Sequence, residues 1–119
     1  MTVANTGKAE VAELMIGAGT AFSNIAIGTG ATQAFTAGDT ALNTEDQRDT
    51  ATTSTDTTDV SGDTAKLVHT FSFTGTKTIN EIGVFNADTD GDMLFAQYIS
   101  DINVESGDSL EVTAKGDVD

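Results

Sequence analysis

The chain of 119 residues has no cysteine, no proline and no tryptophan, and only five basic side chains. Without cysteine there is no disulfide framework, no thiolate metal site and no thiol nucleophile. Without proline no loop is stiffened by a fixed backbone angle, so neither a covalent staple nor a rigid loop supports the fold. The basic residues, Lys8, Arg48, Lys66, Lys77 and Lys115, form no stripe, and 19 acidic residues bring the net charge to −14. A surface of that sign repels phosphate backbones and anionic bilayers, so neither nucleic acid nor membrane is expected as a partner. No apolar run approaches the length of a membrane span. The first ten residues, MTVANTGKAE, lack the basic-then-apolar order of a secretory signal.

Large apolar side chains are also scarce. Leu, Ile, Val and Phe number 26 of 119, about 22%, near the level below which a charged chain stays unfolded. A single domain is expected, with a thin core that leans on an assembly or on salt. Acidic residues run from Glu10 to Asp119 rather than gathering in a tail, Asp outnumbers Glu, and Thr is abundant. Self-repulsion of such a surface falls as the Debye length shrinks to roughly 3 Å in molar salt. The composition is that of a protein working in a hypersaline medium.

Residues 8–16, KAEVAELMI, put Val11, Leu14 and Met15 on one face, which predicts a short amphipathic helix capped by Asn5 or Thr6 and ended at Gly17. Its apolar face is expected to dock on a sheet. Residues 24–27 read as a buried strand broken by Gly28-Thr29-Gly30, and residues 39–45 as a turn or one helical turn. Residues 46–61 carry no large apolar side chain before Val60, which predicts a mobile loop or an exposed edge strand. In 66–74, Leu67, His69, Phe71 and Phe73 alternate with Val68, Thr70 and Ser72, the period of a strand with one apolar face. Strands at 79–87, 93–100, 102–104 and 109–115 follow, the first two joined by an Asp-Gly turn. The expected fold is mainly β: an antiparallel β-sandwich, jelly-roll or immunoglobulin-like, with one short N-terminal amphipathic helix. The hairpin around Phe85 and Phe95 is apolar on both faces, so its second face must be covered by the helix or by another subunit.

Three features invite a chemical reading. Asp88, Asp90 and Asp92 are spaced closely enough on a turn to converge on calcium or another hard cation. The helix-loop-helix calcium pattern fails, because Met93 and Ile99 fall where its glycine and bidentate glutamate belong. His69 is the only histidine, and no local spacing supplies a nucleophile and an orienting group, so a core or subunit-interface position is expected. Gly28-Thr29-Gly30 does not complete a phosphate loop, since residue 33 is Gln and no Gly-Lys-Ser/Thr follows; close packing or a tight turn accounts for it. No enzyme and no cofactor are expected.

Five segments, Ile25-Ala-Ile-Gly-Thr-Gly-Ala-Thr32, Asp39-Thr-Ala-Leu42 with Glu45, Ile79-Asn-Glu-Ile-Gly-Val-Phe-Asn-Ala87, Gly91-Asp-Met-Leu-Phe-Ala96 and Ser106-Gly-Asp-Ser-Leu-Glu-Val-Thr113, resemble in order a small structural module of the virions of tailed phages and tailed archaeal viruses. The likeness spans about residues 8–114. It implies a non-enzymatic virion component, and the acidity adds a halophilic archaeal host. The first expectation is a capsid decoration or turret protein, a trimer or pentamer bound to the major capsid protein or another virion protein. Ile25, Ile27, Phe85, Phe95, Tyr98 and His69 are then the expected contact residues. A tail-fibre or baseplate role in adsorption is the second reading, and a secreted calcium-dependent adhesion module built on the Asp88–Asp92 tip is the third.

Overall fold

The computed structural model describes residues 1–118. In chain order they form β1 (Thr2–Val3), α1 (Asn5–Met15), β2 (Asn24–Gly28), β3 (Glu45–Thr50), β4 (Thr52–Asp56), β5 (Thr64–Ser72), β6 (Lys77–Phe85), β7 (Met93–Val104) and β8 (Ser109–Asp117). A five-stranded sheet, β1-β7-β6-β2-β3, packs against a three-stranded sheet, β4-β5-β8, and every pairing is antiparallel. The mainly β sandwich with one short helix therefore stands.

Between the sheets lie Ile25, Ile27, Leu67, Phe71, Phe73, Ile79, Val84, Phe95, Val104 and Val112, all buried. The alternation in residues 66–74 sends Leu67 and Phe71 inward from β5 as the period of two requires. The residues expected as separate strands at 93–100 and 102–104 form one long β7, which tolerates an irregularity in its register opposite Ile79 and Glu81.

Of the two readings of residues 46–61, mobile loop or exposed edge strand, the structure takes the edge strand up to Asp56. Glu45–Thr50 pairs with β2 at the edge of one sheet, and Thr52–Asp56 pairs with β5 at the edge of the other. Edge strands need only one paired side and no large apolar face, so Thr and charged residues suffice. The chain changes sheet at Ala51, whose small side chain is buried and whose N–H donates to the Ser23 carbonyl at 2.8 Å.

Residues 57–63, which follow β4, are organised by Asp63. Its carboxylate accepts the N–H groups of Thr58, Asp59 and Val60 at 2.8–2.9 Å. Those backbone donors hold its pKa far below the ordinary carboxylate value. A carboxyl depressed in the folded state stabilises above its unfolded pKa and loses that contribution as pH falls through the folded one. The amide shifts of Thr58, Asp59 and Val60 are therefore expected to titrate together in NMR, with a midpoint clearly below the value of about 3.9 for a free Asp. A midpoint at that free value would contradict the arrangement.

The helix departs from expectation at its start and in how it docks. It begins at Asn5 after Ala4 in the N-cap position, with no side-chain cap. Gly17 does end it, at φ +80°, with its N–H on the Leu14 carbonyl. The docked residues are Gly7 and Glu10 rather than the apolar stripe. A side chain on Gly7 would meet the Leu94 backbone at 2.6 Å, so this glycine lets the helix lie directly on β7. Thr6 adds a hydroxyl bond to the Met93 carbonyl, and Glu10 folds back to accept the Thr20 N–H. Met15 and Ile16 are left more than 80% exposed.

The second apolar face of the hairpin is covered neither by the helix stripe nor by another subunit. Residues 29–44, which have no regular structure, lay Ala31, Phe35 and Leu42 over Ala26, Phe85, Met93 and Ala96, with Ala4 at the margin. Residues 29–44 thus serve as a cover, and it needs an anchor because it contributes few apolar atoms of its own.

Candidate functional site

That anchor is Glu81. Its side chain is fully buried and its carboxylate accepts the N–H groups of Thr44 at 2.7 Å, Asn43 at 3.0 Å and Gly30 at 3.3 Å. The neighbouring Asn80 takes the Ala31 N–H at 3.0 Å. The Gly28-Thr29-Gly30 segment passes so close that a side chain on Gly28 would overlap the Glu81 carboxylate and the Thr44 carbonyl. Close packing is thus the reason for the glycines. The signal in the sequence was a carboxylate, next to Asn80, set in the mostly apolar run from Ile79 to Phe85.

A second polar centre sits at the hairpin tip. Asp90 and Gly91 adopt positive φ, +55° and +71°, and Asn86 bridges the turn by accepting the Asp92 N–H at 2.7 Å. Arg48 reaches in from β3, its guanidinium 3.6 Å from the centre of the Phe85 ring. It donates to the Ala87 carbonyl at 3.1 Å and the Asp90 carbonyl at 2.7 Å, and pairs with Glu45 at 2.6 Å. Arg48, Glu45, Phe85, Asp90 and Gly91 border a polar recess of about 520 Å³ that also includes Asp88 and Thr40.

The expected cation site, Asp88, Asp90 and Asp92, falls on this tip. Among the described residues no three acidic or histidine side chains are grouped as metal ligands. The positive charge beside the tip is the guanidinium itself, which already takes the Asp90 carbonyl. Arg48→Lys keeps the charge but cannot make the paired carbonyl bonds or the flat stack on Phe85. We expect it to lower stability by about 1–2 kcal/mol and to loosen residues 87–91, read by chemical denaturation and amide exchange.

The expected contact residues divide. Ile25, Ile27, Phe85 and Phe95 are buried in the subunit's own two apolar layers, Phe85 at the floor of the polar recess and Phe95 in the wall of an apolar groove. Tyr98 is 40% exposed on β7. His69 lies at the margin of the core, edge-on to Phe71, with its Nε2 3.1 Å from Asp49. That pair ties β5 to β3 across the two sheets.

What faces outward and is apolar lies elsewhere. Because α1 is held at Gly7, its second half stands beside an open groove of about 440 Å³ lined by Val3, Val11, Leu14, Phe22, Leu67 and Val118. Met15, the last residue of the helix, and Ile16 after it are also exposed apolar side chains. Sequence periodicity found these helix residues and misassigned their face, since it cannot tell a stripe that docks on its own sheet from one left open.

No protein-family model, no curated protein and no solved structure matches this chain.

Proposed function

We propose that the protein is a non-enzymatic structural component of a virion, a decoration or turret protein that binds the outside of a tailed-virus head as a homo-oligomer and stabilises it. The observation that carries this reading is an open apolar groove lined by Val3, Val11, Leu14 and Phe22, with Met15 and Ile16 exposed at the end of the same helix, on a chain of net charge −14. Isolated apolar residues on a surface are ordinary, whereas an apolar groove on so acidic a chain suits a contact surface. The ordered likeness of the five segments to tailed-virus modules supplies the kind of particle, and the major capsid protein is the partner it points to. The charge suits a virus of a halophilic host, because molar salt screens the repulsion between acidic neighbours packed on a shell.

Gold-labelled antibody on purified virions is the test. Label distributed over the head is expected. Label confined to the tail would move the protein to adsorption, and absence from virions would end the proposal.

A further inference from the structure

We infer that β8 is the contact between two copies of this chain, paired antiparallel with itself about a twofold axis through Thr113. The inference rests on the reading of the protein as a homo-oligomer, and it adds which surface is used and in which register. β8 is the outer strand of the three-stranded sheet, and no described strand pairs its free edge.

Thr113 is the midpoint of the nine residues Ser109–Asp117, so a twofold axis there pairs the whole strand. Each residue then faces one of the same parity. The buried Val112 and Ala114 of one copy oppose Ala114 and Val112 of the other, and both cores stay on the same side of the joined sheet. On the outer face Glu111 opposes Lys115 twice, and Thr113 opposes itself, both favourable cross-strand pairs. A strand protected against self-pairing would set like charges opposite one another.

Within one copy Lys115 stands directly opposite Lys66, two like charges that share one carboxylate, Asp56, 2.9 Å from Lys115 and also acted on by the Lys66 charge. Glu111 of the second copy would bring a second negative charge to the two lysines. At the strand end Leu110 opposes Gly116, which lines the apolar groove and has no side chain to fill it. Leu110 shares the inward parity of Val112, so it would cover that end of the groove.

Light scattering over a protein dilution series in molar salt is expected to give twice the 12.2 kDa chain mass, or a multiple of it. Glu111→Lys and Lys115→Glu should each lower the association constant about tenfold, because symmetry makes each change act twice. The double exchange should restore association, with circular dichroism confirming that each variant folds. As an independent readout, Thr113→Cys in this cysteine-free chain should form a symmetric disulfide on mild oxidation, and Thr53→Cys on the exposed β4 should not. A wild-type monomer at every concentration, or equal cross-linking at both positions, would overturn the contact. Either result would leave head labelling, the test of the virion role, untouched; a monomer would remove only the homo-oligomer from that role.

Discussion

Glu81→Ala is expected to destabilise the protein by about 3–5 kcal/mol, measured as a lower urea midpoint at unchanged slope. The carboxylate is fully buried and serves three backbone N–H groups, those of Gly30, Asn43 and Thr44. Removing it takes the ionised acceptor from all three, and a hydrogen bond to a charged group contributes about 1.5–3 kcal/mol. Some of that cost is offset where the covering segment lifts and water enters. Lifting has its own signature, because Phe35 and Leu42 would leave Phe85, Met93 and Ala96 uncovered. Binding of a hydrophobic dye and cleavage within residues 29–44 should therefore rise together in this variant. Glu81→Gln keeps one acceptor oxygen and should lose about half as much. A loss below about 1 kcal/mol for the alanine variant would mean that the segment holds without its anchor.

Phe71→Ala should cost a similar amount, about 3–5 kcal/mol, for a different reason. The ring is 1% exposed between the two sheets and edge-on to His69, with centroids 4.7 Å apart. Its removal opens a cavity in a core that has few large side chains with which to close it. Domains of this size have only about 5–15 kcal/mol of stability in total, so the variant should be largely unfolded in dilute buffer if the wild type lies low in that range. Met15→Ala is the internal comparison. Had the helix stripe been docked on the sheet, that change would cost a few kcal/mol; at 81% exposure it should stay within about 0.5 kcal/mol. Thermal unfolding of the two variants side by side reads the contrast, and a large loss for Met15→Ala would place the helix differently.

Much of the architecture was legible before any coordinates. Period-two alternation from Leu67 to Phe73 marked β5 and its buried face, and the Asp-Gly turn marked the β6–β7 hairpin. The two-sided apolarity of that hairpin correctly demanded a second cover. The identity of the cover was not legible, because residues 29–44 carry only Phe35 and Leu42 as large apolar groups and are held by backbone hydrogen bonds, which leave no pattern in side-chain type. Residues 45–56 were obscure for the converse reason: an edge strand with one exposed side shows no apolar alternation.

The candidate sites divided along the same line. Asp88, Asp90 and Asp92 are close in sequence, but the direction of a carboxylate depends on the turn and on the neighbour packed against it, here Arg48 from a distant strand. Ile25, Ile27, Phe85 and Phe95 were recognisable as sticky residues, yet hydropathy does not say whether the surface they meet belongs to the same chain. Composition and local periodicity were enough for the acidity, the β class, the single helix and the turn positions, since each depends on residues within one turn or one strand of each other. Which apolar surface stayed open, and which carboxylate became an anchor rather than a ligand, depended on contacts between residues tens of positions apart, such as Gly7 on Leu94 and Glu81 on Thr44. Such contacts come into being only when the layers close on one another.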